Sequence, residues 1–188
     1  ETREAIDVLR GGGPEDLIEC TLALGSEMLV LGKVAGDLDS ARSMLQSAID
    51  TGAGARVFER MIEAQRGDPG VVEHPERLPT TEHQVAILAD QEGVVAAIDA
   101  LEIGLSSVAM GAGRTRADQA IDHAVGIELS CDVGEWVEVG QELALLHVHD
   151  PQAADAPAAR VRAAMVIDPE AAKDDNSRSI VIDRVCAH

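Results

Sequence analysis

The sequence predicts an α+β protein, with an all-α part followed by a part that mixes helices and strands. Three observations carry that expectation. Apolar residues recur at three- and four-residue spacing through residues 1–67. Residues 68–83, DPGVVEHPERLPTTEH, hold three prolines and no periodicity, and so read as a connector. Beyond them, short β-branched and apolar runs alternate with glycine-containing turns.

Taken in order, ETREAIDVLR carries Ala5, Ile6 and Leu9 on one helical face, and Gly11-Gly12-Gly13 ends that helix. Its amphipathic start without a methionine reads as part of a longer protein. Pro14 suits a first helical turn, and Glu15 and Asp16 complement the positive end of a second helix. Leu17, Thr21, Leu24, Gly25 and Met28 follow at helical spacing and read as core. Asp39 reads as the cap of a third helix that turns Ala41, Met44, Leu45, Ala48 and Ile49 to one face and stops at Gly52. A fourth helix carries Phe58, Met61 and Ile62 to Gly67. Val85–Leu88 and Val94–Ile98 read as strands around the turn Asp90–Gly93, and residues 101–110 as a short helix. Gly126–Ser130, Trp136–Val139 and Leu143–Val148 read as strands punctuated by Gly134 and Gly140. Residues 153–166 read as a helix, and Ile180–Val185 as a last strand. There is no internal repeat or low-complexity tract.

Composition narrows the function. One Trp, one Phe and no Tyr leave an aliphatic core and almost exclude aromatic platforms for bases. A net charge of −19 repels nucleic acid and anionic membrane, and gives the protein a solvated acidic surface. No apolar stretch reaches the ~20 residues a membrane span needs, and no signal peptide opens the chain. Cys20, Cys131 and Cys186 lack the spacing of a zinc or redox motif and read as thiols in a reducing compartment.

Two motifs invite chemistry. AMGAGRTRADQAID, residues 109–122, places a Gly-Ala-Gly-Arg turn after an apolar run. Gly111 and Gly113 fit the first two glycines of a dinucleotide fingerprint, but Arg116 stands at the third, and no lysine lies between Lys33 and Lys173 to make a Walker-type loop. Arg114 and Arg116 could clamp an anion, or pair with Asp118 or Asp122 in a structural turn. HVHD, residues 147–150, sets His147 and His149 on one side of a strand beside Asp150. A metal needs further ligands that nothing nearby provides, so the alternative is a pair of ordinary strand-end histidines. His74, His83, His123 and His188 have no recognisable partners, and GxSxG, HExxH and Cys/His/Asn patterns are missing. VGEWVEVGQELALLHV, residues 133–148, has the pattern of biotinyl and lipoyl carrier domains but offers no lysine for a cofactor.

EAIDVLRGGGPEDLIECTLALGSEML, FERMIEAQRGDP, QEGVV, MGAGRTRADQAIDHAVGIEL and GEWVEVGQELALLHVH, in that order, resemble the C-terminal portion of the thymidine phosphorylase and pyrimidine-nucleoside phosphorylase family. The resemblance implies that residues 1–67 complete the large, phosphate-side α/β domain. Residues 68–85 would be the connector, and residues 86–188 the family's C-terminal α+β, barrel-sandwich-like domain. It implies reversible phosphorolysis of thymidine to thymine and 2-deoxyribose 1-phosphate by the longer protein, with the catalytic and substrate-binding groups upstream and none in this chain. The glycine turn at Gly111, Gly113, Arg114, Asp118 and Asp122 would then be structural. Glu4 aligns with a glutamate that helps hold a monovalent cation, potassium, in some members, as one ligand of a partial site; no other cofactor is implied. The remaining implied partners are the N-terminal portion of the same phosphorylase, phosphate and a pyrimidine nucleoside, and a second copy in a homodimer, in the cytoplasm. The alternatives are a non-catalytic scaffold module or a relative acting on uridine or a nucleotide.

Overall fold

The computed structural model describes residues 1–171 and 180–185. They form two compact units. Residues 1–78 with 180–185 make the first, and residues from Pro79 onward make the second. The sequence expectation had placed residues 68–78 in a connector and 180–185 in the second domain. Cys186, Lys173 and His188 lie outside the described residues.

The first unit is helical. Helix α1 (Thr2–Leu9) buries Ile6 and Val8, and α2 (Glu15–Leu31) follows the extended Pro14. Helix α3 (Leu38–Asp50) buries Ala41 and Ile49, and α4 (Ala53–Ala64) buries no residue fully. Asp37, and not Asp39, caps α3: Asp37 has extended backbone and its carboxylate accepts the Ser40 N–H at 2.8 Å. The Ser40 amide bond holds its carboxyl below the usual range. Several residues expected in the core are instead in water: Leu24 and Met28 at 63% and 72% exposure, Met44 and Met61 at 46% each, and Thr21. The proline-rich stretch is pinned by two 3-10 turns, Pro69–Val71 and Pro75–Arg77, by the 2.7 Å Asp68–Arg77 ion pair and by buried Val72. Residues 180–185 are not the strand expected; they have no regular structure, and Arg184 pairs with Glu27 of α2.

The second unit is α+β. Strands β1 (His83–Leu88), β5 (Glu142–Val148) and β3 (Gly126–Leu129) form one antiparallel sheet in the order β1-β5-β3. Strands β4 (Trp136–Val137), β2 (Gly93–Ile98) and β6 (Met165–Asp168) form the other, in the order β4-β2-β6. Helices α5 (Ala100–Ser107) and α6 (Asp155–Ala163) complete it. No closed barrel forms among the described residues. Strand β6 falls where the sequence predicted the end of a helix. Composition alone does not separate four residues, Met165–Asp168, from the alanine-rich helix before them; their pairing with β2 does.

Both sheets feed one aliphatic core, with Ile87, Val95, Val137, Leu143, Leu146 and Val161 at its centre. Alternation along β5 sends Leu146 and Val148 inward and leaves His147 half-buried between them. Cys131 sits in this core, its Sγ–H directed to the Leu143 carbonyl at 3.6 Å. Burial, with Glu135 and Asp132 adding to it, pushes the thiol from its ordinary 9.0 to about 11. The folded state therefore holds this proton more tightly than the unfolded chain. The contribution is intact below pH 9 and is lost as pH rises toward about 11. Iodoacetamide at pH 8 should alkylate half-buried Cys20 and spare Cys131, and denaturation midpoints should fall between pH 9 and 11 less steeply in Cys131→Ala than in the parent. Equal labelling of both thiols in the folded chain would contradict this placement.

Gly93 is where β6 approaches β2 most closely. Its φ is +153°, and a Cβ there would lie 2.6 Å from the Asp168 carbonyl oxygen, a backbone atom. Gly93→Ala should therefore destabilise the chain by roughly 2 kcal/mol or more, read from urea denaturation.

Candidate functional site

The glycine turn closes on itself. Helix α5 begins with Asp99 accepting the Leu101 and Glu102 amides. It runs into a wider helical turn, Val108–Ala112, which ends where Gly111 takes φ +109°. A Cβ on Gly113 would lie 2.6 Å from Val108 Cγ2, so the chain can fold back only over a residue without one. The Gly111 carbonyl then accepts the Asp122 N–H at 3.0 Å. Within the loop, Gln119 Oε1 accepts both the N–H and the Oγ1–H of Thr115, at 3.0 and 2.9 Å. Arg116 grips Asp118 at 3.1 and 2.7 Å in a bidentate pair.

Asp122 is the hub of this segment. Its carboxylate accepts the Ala124 amide at 2.9 Å and meets His149 Nε2 at 2.9 Å. The Ala124 amide, with His149 adding to it, keeps its carboxyl below the usual range. The Arg114 expectation needs correction. Arg116 alone takes Asp118, Asp122 is engaged by His149, and Arg114 has no hydrogen-bond or ion-pair partner among the described residues.

A phosphate cradle needs free, converging N–H groups. Here the amides of Thr115, Gln119, Asp122 and Ala124 are consumed inside the loop, and Asp118 and Asp122 add negative charge. The arrangement ties loop to sheet.

The histidine motif divides between two carboxylates. His147 on β5 faces Glu128 of β3 at 3.3 Å, and His149, just past β5, faces Asp122. Asp150 turns away to accept the Gln152 amide at 2.9 Å. No three potential ligands come together among the described residues. His74 pairs with Glu76 at 3.1 Å on the surface, and Thr81 donates to the His83 carbonyl. Glu4 lies exposed in the first turn of α1, and Gly134 and Gly140 take φ +97° and +83° on either side of β4 in the carrier-like stretch. Two open surface hollows, of about 420 and 580 Å³, lie along α4 and along α3 with Thr51. No helix among the described residues is long and apolar enough to cross a membrane. The Asp122–His149 contact and the Thr115–Gln119 lock were not read from sequence, because each joins residues whose proximity the loop itself creates.

Asp122→Asn should remove the charge-assisted part of this tie. Amide exchange at Ala124 should then accelerate about fivefold or more while the sheet amides are unchanged. In the parent chain the same protection should hold above the ordinary carboxylate range and fade as pH falls through the lowered Asp122 value. Unaltered Ala124 exchange in the variant would remove Asp122 from this role.

Residues 94–168 match the pyrimidine nucleoside phosphorylase C-terminal domain family. The chain is 44% identical over 147 residues to a pyrimidine-nucleoside phosphorylase of Staphylococcus aureus (strain bovine RF122 / ET3-1), covering 78% of this chain and 34% of that protein. It is 43% identical over 155 residues to one of Staphylococcus epidermidis (strain ATCC 12228 / FDA PCI 1200), covering 82% and 36%. It is 45% identical over 147 residues to one of Staphylococcus haemolyticus (strain JCSC1435), covering 78% and 34%. The chain thus spans about a third of the length of the curated relatives it matches. With residues 94–168 matching that C-terminal domain family and identity at this level over most of its length, the chain is similar to the C-terminal portion of pyrimidine-nucleoside phosphorylases.

Proposed function

We propose that this chain is the supporting C-terminal part of a thymidine phosphorylase. The longer protein would split thymidine with phosphate into thymine and 2-deoxyribose 1-phosphate. The observation that carries this reading is the similarity to pyrimidine-nucleoside phosphorylases over most of this chain but a third of theirs. The displacement needs a positioned phosphate, stabilisation of a sugar with oxocarbenium character, and a charge partner for the departing base. The glycine turn, the one motif here with the look of an anion site, leads into a loop whose Thr115, Gln119, Asp122 and Ala124 amides are already bonded and which carries the carboxylates of Asp118 and Asp122. The reacting groups are therefore assigned to the N-terminal portion of the same polypeptide, and the 188-residue chain alone is inactive. Its part in the reaction is bracing. The tied loop and the two sheets give a rigid body against which domains can close on substrate.

The rest of the reading follows the family resemblance. The protein works as a cytoplasmic homodimer and needs no organic cofactor. Glu4, exposed on α1, supplies one carboxylate to a monovalent cation whose other ligands precede it. A second substrate reading has one observation in its favour: the relatives are named for pyrimidine nucleosides in general, which admits uridine.

The test is phosphate-dependent base release by the longer protein from thymidine and uridine, with this chain as control. Thymine release by the longer protein alone is the expected result, and faster release from uridine would shift the substrate. Release of neither base would remove the phosphorylase reading.

A further inference from the structure

Among the described residues, the 2.9 Å contact between Asp122 and His149 is the side-chain hydrogen bond that joins residues 113–125 to the end of β5. The other side-chain bonds of this segment are internal: Thr115 with Gln119, Arg116 with Asp118, and Asp122 with the Ala124 amide. The His149 and Asp122 side chains are 56% and 39% exposed, so solvent protons reach the imidazole. A carboxylate accepts a hydrogen bond from neutral or charged imidazole, but a charged donor is held about twice as strongly. Asp122 itself stays ionised, because the Ala124 amide, with His149 adding to it, keeps its carboxyl below the usual range. Histidine is the side chain that ordinarily changes charge between roughly pH 5 and 8.

We propose that this contact is a pH-sensitive latch: protonated His149 holds the glycine loop to the end of β5, and the loop loosens as His149 gives up its proton. The surrounding charges single out His149. His147, two residues earlier on β5, has its own carboxylate in Glu128 of β3 at 3.3 Å. On β1, His83 stands opposite Val148, with Glu82 before it. Past the strand, Asp150 accepts the Gln152 amide, and Asp155 opens α6. In the loop, Asp118 is taken by Arg116, while Arg114 and His123 are exposed and without a hydrogen-bond partner among the described residues. Protonation therefore adds attraction to one carboxylate, Asp122. The latch is complete where His149 is charged and Asp122 ionised, and it weakens as pH rises through the imidazole range. The Ala124 bond spans two residues, needs no histidine and survives the change. The latch requires neither substrate nor the rest of the polypeptide, so its failure leaves the phosphorylase reading untouched.

The experiment reads amide exchange at Asp122, whose N–H is given to the Gly111 carbonyl, at pH 6 and pH 8 after division by the intrinsic exchange rate. In the parent chain, protection should be about threefold greater at pH 6, the size expected of an exposed charge pair. His149→Lys keeps a positive charge at both values and should hold the higher protection throughout. His149→Gln keeps a neutral donor and should show the lower protection throughout. His147→Gln should retain the parent's dependence, because His147 faces Glu128. The Leu146 amide, in the buried part of β5, should be unchanged in every variant and reports that the sheet is intact. Equal parent protection at the two pH values overturns the proposal. So does a pH dependence that persists in His149→Gln, since another group then does the gating.

Discussion

Strand β5 is bonded on both edges, to β1 from His83↔Val148 to Leu88↔Glu142 and to β3 from Gly126↔His147 to Leu129↔Ala144. That double pairing fixes its register, and register decides which side chains meet the core. With Leu143, Ala144 and Leu146 fully buried, a slip of one residue would carry Leu145 and His147 inward and leave leucines in water. The rest of the second unit takes its place from this strand. Cys131 reaches the Leu143 carbonyl, Ser130 donates to Glu142, and the two histidines at the strand's end meet the flanking carboxylates.

Those carboxylates show how a very acidic chain manages its charge locally. With 34 acidic residues against 15 basic ones, cations are scarce; Arg114 has no partner among the described residues, while other arginines make local ties. Arg116 closes the loop on Asp118, and Arg162 pairs with Asp90 and donates to the Leu88 carbonyl. Exposed pairs of this kind contribute little to stability singly. Their value here is geometric: Asp122, bonded to Ala124 and His149 at once, joins the loop to the end of the central strand. The same geometry takes the amides of Thr115, Gln119, Asp122 and Ala124 away from any anion.

Sequence reading reached far into this fold where the pattern was local. All six α-helices, five of the six strands and the glycine punctuation were legible because periodicity, proline and glycine act over a few residues. Asp39 was read as the cap where Asp37 is, because both carboxylates precede an apolar stripe and only backbone conformation separates them. Strand β6 and residues 180–185 went the other way round. Strand status belongs to a pairing and not to a segment, so Met165–Asp168 gained a partner that Ile180–Val185 lacks. The site was legible as a turn at Gly111 and Gly113, but not as an Asp122–His149 contact 27 residues apart in sequence.

The disagreement over Leu24 and Met28 is of another kind. Periodicity states that a face is to be buried; it does not state by what. In the strand-rich unit that demand is met internally, since Ile87, Val95, Val137, Leu143 and Leu146 cover one another. The helical unit meets it only in part, with Ile6, Val8, Leu22, Ala41, Ile49 and Val72 buried and α4 contributing no fully buried residue. Helices of 8 to 17 residues draw most of their stability from packing their apolar faces and little from propensity. The two units differ in this: one contains a match to a domain family, whereas the other leaves apolar side chains of α2 exposed.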